Sequence, residues 1–429
     1  LNSRNSREIK DGMKRIIAIM SSGDGSMDVE SYFADVIKNI ISNDMKIKIL
    51  VCIYLLRFAE KDPNLALLSI NSLQKTISDG DPEVRALSIK ALSDIKIPSL
   101  YPIVLHTLKK VVADTSATVR NEVSFALLKL YVAKAEEMED DIVHILQDLL
   151  ADADPMVLSS AILVLKECFP DKLEWLHGHF RYYCKIMPNL DSWAQSYLIT
   201  LLLSYCKVYI PRPTIVDASG TEDSQNTMQM PEKCNEIRFP VYDVINDGDL
   251  ALFLACLERL VFRSNPAVIL SASNAFFQLA TPMQFKKSRF PEAIIRVCSL
   301  SSNRGLLHMV FQSVLLFSSV DPTLFLPYMK KFFILPSDDT TIACLKLKIL
   351  STMVNESNIK SVVKEFKYYI SYQRAPTVSI AAANALAVCA RLSPGWESNI
   401  MKWFISHMEN SKLSKELLGS YINVIRVLA

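Results

Sequence analysis

A turn followed by a helical apolar pattern returns along this chain at a nearly constant interval, and that recurrence limits the possible folds more than any other feature. The turns stand at Asn43-Asp44, Asp81-Pro82, Asp114-Thr115-Ser116, Asp154-Pro155, Asn265-Pro266 and Ala375-Pro376. Asp or Asn accepts hydrogen bonds from the free amides at a helix start, and proline suits the first helical position because its missing N–H has no partner there. The first apolar residues after the helix starts are Ile47, Val84, Val119, Val157, Trp193, Val268, Leu306, Ile342 and Val378, at intervals of 37, 35, 38, 36, 75, 38, 36 and 36. Seven of the eight lie within two residues of 37, which defines an internal repeat.

Within a repeat, Ile47, Leu50, Val51, Tyr54, Leu55 and Phe58 fall on one helical face. A second helical pattern follows each marked helix, for example over 63–78, 99–112 and 140–150, so each unit is expected to be a two-helix hairpin. The signatures Asp81-Pro82-Glu83-Val84-Arg85 and Val119-Arg120 fit HEAT-like units, and no tetratricopeptide pattern is present. A hairpin of this size cannot bury its apolar stripe alone, so neighbours must stack. The expected fold is all-α, a HEAT/armadillo-like α-solenoid of about ten two-helix repeats. Only 10 glycines occur in 429 residues, against a usual ~7%, which disfavours glycine-lined phosphate loops and tight-turned sheets.

The 75-residue interval holds one unit plus an insertion, placed at 209–249 on its Pro, Gly, Ser and Asp content. The expected organisation is 1–208 and 250–429 as two halves of a helical trunk, joined by a flexible loop. The chain opens on Leu1 and closes inside a helical pattern at 412–428, so it is expected to be a fragment of something longer. Residues 246–429 carry 20 basic and 12 acidic side chains, leaving 27 and 33 for 1–245, so the +2 total divides into +8 and −6. Nine cysteines lie far apart, with no C-x-x-C, and are expected to be small buried hydrophobes in a reducing compartment. The longest apolar runs, near 197–206 and 310–317, fall short of the ~20 residues that cross a bilayer.

The stretch 45–167 resembles the N-terminal trunk of a β-type adaptin, through ILVCIYLLR at 49–57, DPNLALLSI at 62–70, DPEVRAL at 81–87, LLAD at 149–152 and PMV at 155–157. A second block, FLPYMKKF at 325–332 with LKLKIL at 345–350, fits the same family's later trunk. CFPDK at 168–172, with Tyr182, Cys184 and DSWAQ at 191–195, is most similar to the β-type adaptins of adaptor protein complex three. This resemblance implies a large subunit of a heterotetrameric vesicle-coat adaptor. Its implied partners are a δ-type large adaptin, medium and small chains, an Arf-type small GTPase, an anionic membrane surface and, through regions outside this chain, clathrin. The implied location is cytoplasmic and peripheral on Golgi or endosomal membranes and coated vesicles, with sorting toward lysosome or vacuole. A sister clathrin-adaptor subunit, or a karyopherin-like nuclear transport receptor of similar architecture, are the alternatives.

No catalytic motif, cofactor loop or metal set emerges. His177, His179 and Cys184 lack a fourth ligand, and solvated loop histidines are the better reading. The acidic runs at 136–141 and Asp338-Asp339 read as solvated helix starts. Two basic sets stand out. Lys10, Lys14 and Arg15, with Arg4 and Arg7, form an N-terminal candidate for anionic lipid, matching a region that carries a phosphoinositide contact in some β-type adaptins. Lys360, Lys364 and Lys367 share a helical face and are the candidate partner-binding set, within a wider group including Lys286, Lys287, Lys330, Lys331, Lys346 and Lys348. Nucleic acid is not expected, because these helices carry no aromatic-interleaved reader. Tyr368, Tyr369 and Tyr372 are candidate interface anchors, with some expected in the core.

Overall fold

A computed structural model describes the backbone of residues 1–3, 5–22, 29–59, 63–219, 226–233, 236–372, 375–392, 395–410 and 415–428, with side chains for all of these but 63–68, 134–137, 410 and 427–428. Arg4, Cys234 and Lys412 lie outside the described residues. The chain forms two compact units, Leu1–Leu202 and Leu203–Ala429. The boundary lies between Leu202 and Leu203, within the helix Ser192–Tyr209.

Unit 1 runs α1 (Ser6–Ser22), α2 (Phe33–Ile37), α3 (Met45–Phe58), α4 (Pro63–Thr76), α5 (Pro82–Asp94), α6 (Tyr101–Val111), α7 (Ala117–Leu150), α8 (Pro155–Cys168), α9 (Phe180–Ile186) and α10 (Ser192–Tyr209), the last crossing the division. The marked helices stack in sequence order, α1 on α3, α3 on α5, α5 on α7 and α7 on α8. Asp44, Asp81 and Asp154 each accept a hydrogen bond from the amide two residues on, as the turn chemistry requires. The first inward position is the third after each cap, since Ile47, Val84, Val119 and Val157 are all buried. By that rule the fifth marker is Ala194, three after Asp191. Trp193 is 70% exposed, so the sequence marker sat one residue early.

The turn aspartates also serve a second purpose. Arg85 Nε and Nη2 donate to Asp114 at 3.0 and 2.8 Å, while Nη1 reaches the carbonyls of Asp79 and Gly80. One repeat later Arg120 does the same to Asp152, at 2.6 and 3.1 Å, and to the carbonyls of Asp114 and Thr115. Lys48 lies 3.9 Å from Asp79 in the equivalent place. Burial alone would raise the Asp114 and Asp152 carboxyls, but the guanidinium and backbone N–H bonds outweigh it and hold both below their ordinary value. This ladder of two-pronged, charge-assisted bonds fixes the stacking distance from one hairpin to the next.

Two departures from regular hairpins occur. The break expected between 130 and 140 is absent, and α7 runs unbroken for 34 residues. No glycine or proline interrupts that stretch, and its Leu, Ala, Lys, Glu and Met are strong helix formers. Between α8 and α10 the second element is a 3₁₀ segment, Leu173–His179, followed by the short α9.

Unit 2 begins with a surprise in the segment read as a loop. Within 209–249 lies a three-stranded antiparallel sheet, β1 (Thr214–Asp217), β2 (Thr227–Gln229) and β3 (Tyr242–Ile245), in the order β2-β1-β3. Ile215 faces Met228 on one side and Val244 on the other and is fully buried. Short β-branched runs suit a pleated surface, and strands of three or four residues are too short to show a period of their own. Residues 220–225 of the loop signal lie outside the described residues. The unit continues as α11 (Gly248–Leu260), α12 (Pro266–Leu279), α13 (Pro282–Lys287), α14 (Phe290–Leu300), α15 (Arg304–Val320), α16 (Thr340–Thr352), α17 (Ile359–Tyr372), α18 (Pro376–Leu392), α19 (Glu397–Asn410) and α20 (Lys415–Leu428). The marked helices again stack in order, α12 against α15, α15 against α16, α16 against α18 and α18 against α20. Apart from this small sheet, the helical, HEAT-like repeat architecture read from the sequence is therefore present in each unit.

Candidate functional site

The first basic set sits on α1, whose Ile9, Met13 and Ile16 are buried against the body of unit 1. Helical geometry then turns Lys14 and Arg15 outward, and both are exposed with no ion pair among the described residues. Lys10 behaves differently. It forms an ion pair with Asp44, the cap of α3, and is only partly exposed. Its charge is satisfied within the fold, so the free positive patch comes down to Arg7, Lys14 and Arg15.

The second set sits on α17. Ile359, Val362, Val363, Phe366, Tyr369 and Ile370 form its buried face. That leaves Lys360, Lys364, Tyr368 and Tyr372 exposed at successive intervals of four, one stripe along the helix. Lys367 is half-buried, its ammonium 5.2 Å from the Trp403 ring centre on α19, and burial lowers its pKa. Of the three tyrosines, Tyr369 belongs to the core, where its hydroxyl accepts the Ile334 N–H at 3.1 Å. Tyr368 and Tyr372 are exposed, with ring centres 5.0 Å apart.

Lys346 leaves the wider basic group. Its side chain is buried, 2.6 Å from Asp338, with its ammonium 5.4 Å from the Phe311 ring centre. Asp338 is accordingly not a solvated helix start, and it also accepts the Leu335 N–H. Asp339 accepts the Thr341 hydroxyl at the start of α16, as a solvated helix start would. Sequence reasoning missed the Lys346–Asp338 pair because a lysine among apolar residues and an Asp-Asp turn carry no signal of one another at a spacing of eight.

Among the described residues, no three His, Cys, Asp or Glu side chains gather to hold a metal ion. His179 packs against the Tyr183 ring, and Cys184 is buried. Burial pushes the Cys52 and Cys168 thiols up to about 11 and those of Cys206, Cys298 and Cys389 to about 12. A thiol so far above neutral pH is a poor nucleophile. No described helix is long and apolar enough to cross a membrane.

Capped hairpins, an Asp–Arg ladder and unpaired cations on outward helix faces define a HEAT-type helical-repeat protein. The chain belongs to the adaptin family, since the family described as Adaptin N terminal region matches residues 1–428. It is 53% identical over 429 residues to AP-3 complex subunit beta of Saccharomyces cerevisiae, covering 100% of this chain and 53% of that protein. It is 44% identical to the Eremothecium gossypii subunit of the same name, covering 100% and 55%. With human AP-3 complex subunit beta-1 the identity is 29%, covering 85% of this chain and 32% of the relative. The chain thus spans about half the length of the fungal relatives it matches. Among solved structures, a homology model of the full-length AP-3 complex in an intermediate open conformation matches with TM-score 0.66 and 53% identity, covering 100% of this chain and 69% of that one. An engineered protein shares the fold alone, at TM-score 0.50 and 15% identity. The resemblance read from the sequence, to β-type adaptins and within them to those of complex three, is borne out. The sister-complex and nuclear-transport alternatives are not favoured.

Proposed function

We propose that this chain is the trunk of the β-type large subunit of a heterotetrameric vesicle-coat adaptor, a scaffold that works by presenting helical surface. The observation that carries this reading is the 53% identity to a β subunit of the AP-3 complex along the whole chain. The complex serves protein transport, sorting cargo from Golgi or endosome toward lysosome or vacuole. Its other members are a δ-type large adaptin, a medium chain and a small chain. An Arf-type GTPase and an anionic membrane recruit it, clathrin engages through regions outside this chain, and the protein is cytoplasmic and membrane-peripheral. The chain is not an enzyme in this reading.

In this proposal the α17 stripe of Lys360 and Lys364, with Lys367 half-buried beside it, meets an acidic face of the medium chain, and Tyr368 and Tyr372 supply anchors. Affinity purification of the tagged full-length protein from cells should recover the δ-type, medium and small chains. Reversing all three lysines to glutamate should deplete the medium chain from that set. Recovery of nucleoporins in place of adaptins overturns the function, and full medium-chain recovery by the triple variant overturns the role of α17.

Lys14 and Arg15 are assigned to the anionic membrane. Each basic side chain near such a surface contributes about 1 kcal/mol, so Lys14→Glu with Arg15→Glu should weaken binding of the assembled complex to phosphatidylserine vesicles by roughly tenfold or more. Lys10→Glu serves as a contrast, since its effect should appear in the thermal stability of unit 1 through Asp44. Unchanged vesicle binding by the double variant removes the lipid role.

A further inference from the structure

A groove on unit 1 lies outside both basic sets. It has a volume of about 680 Å³ and is formed where α7, α8 and α10 pass one another. Its floor comes from equivalent places in successive repeats, Phe125 and Leu163 standing ninth after Ser116 and Asp154, and both are half-buried. Ser159 ties the wall together by accepting the Asp191 N–H at 3.2 Å. At the rim, Trp193 is 70% and Met156 46% exposed. An unpartnered indole on a helix is a costly thing to leave in water and a favoured anchor for a binding partner.

The polar groups identify the occupant. The side-chain amides of Asn121 and Asn189 line the groove and hold no hydrogen bond among the described residues. An amide offers a donor and an acceptor together, which matches the alternating groups of an extended peptide backbone. Asp154 and Asp191 line the groove together with Trp193, and among the described residues no Lys, Arg or His lines it. Each carboxylate uses one oxygen on its own helix start, Asp154 on the Met156 N–H and Asp191 on the Trp193 N–H. The helix dipoles offset about half a charge each, leaving roughly one net negative charge on the groove. Arg120 is bonded to Asp152, and its charge also reaches Asp154, which leaves Asp191 the carboxylate with the freer charge. A cation over the indole, with its charge shared by these carboxylates, completes the arrangement.

We infer that this groove binds an extended segment of a partner protein that carries lysine or arginine between apolar residues. The test uses the full chain and three labelled peptides of equal length and apolar content, with Lys, Gln or Glu at the polar positions. The Lys peptide should bind best and the Glu peptide worst. Trp193→Ala should weaken the Lys peptide roughly five- to tenfold, the range expected for losing a cation–π contact with its packing. Asp191→Asn retains the cap on α10 and should erase most of the preference for Lys over Gln. Trp193 is exposed, so the alanine variant keeps the wild-type melting curve, which separates lost binding from lost fold. Equal binding of the three peptides, no binding of the Lys peptide, or a Trp193→Ala variant that binds as well as the wild type each overturns the inference.

Discussion

Truncating Phe285 to alanine will destabilise unit 2 by about 3–5 kcal/mol, the range for a fully buried phenylalanine whose cavity cannot collapse. Phe285 is 0% exposed. Its ring centre lies 5.2 Å from that of Phe277, 5.5 Å from Phe317, 6.1 Å from Phe290 and 6.2 Å from Phe276. These rings come from α12, α13, α14 and α15, so one side chain joins four elements. The helix that carries it has six residues, too few to hold itself together without tertiary contacts. A capping box between Thr281 and Gln284 sets its entry, and the phenylalanine anchors it. For a unit of this size the loss corresponds to a downward shift of roughly 10 °C in its calorimetric transition. Tyr368→Ala on the exposed stripe of α17 should move the same transition by no more than about 0.5 kcal/mol. Equal effects from the two would mean that the phenylalanine cluster does not hold α12 to α15 together.

How much of this was legible beforehand follows from which signals are local. Asp44, Asp81, Asp154 and Asn265 each cap the helix that their turn announces, because capping is settled within two or three residues of chain. The repeat period followed from the same caps, and with it the order of stacking. What escaped depends on partners distant in sequence. The Arg85–Asp114 and Arg120–Asp152 rungs span 29 and 32 residues, so the turn aspartates showed only their local half. Lys10 looked like part of a free patch because Asp44 stands a full repeat away. The small sheet escaped because Ile215 has its partners at Met228 and Val244, on strands too short to show a period of their own. On α17 the division was legible in principle. Lys360, Lys364, Tyr368 and Tyr372 share one face, and Tyr369 falls on the apolar one.

Removing the carboxylate of Asp338 should cost unit 2 nearly as much as losing Phe285, by a different route. The Lys346 side chain is 4% exposed and that of Asp338 12% exposed, and they meet at 2.6 Å. With Asp338→Ala the ammonium keeps only the Phe333 carbonyl, 3.5 Å away, and the face of the Phe311 ring. The Leu335 N–H loses its acceptor as well. Stranding one member of a buried pair costs about 3–5 kcal/mol, whereas replacing both members with uncharged groups is often neutral or stabilising. The double variant Asp338→Ala with Lys346→Met should therefore recover most of the stability lost by the single one. Lys346→Met alone should cost less than Asp338→Ala, because Asp338 retains the Leu335 bond and the greater access to water. The measurement is a double-mutant cycle by chemical denaturation, whose coupling energy isolates the pair from the packing of either side chain. A double variant no more stable than Asp338→Ala would mean that the aspartate acts through the Leu335 turn, with the lysine contributing nothing beyond its hydrocarbon stem.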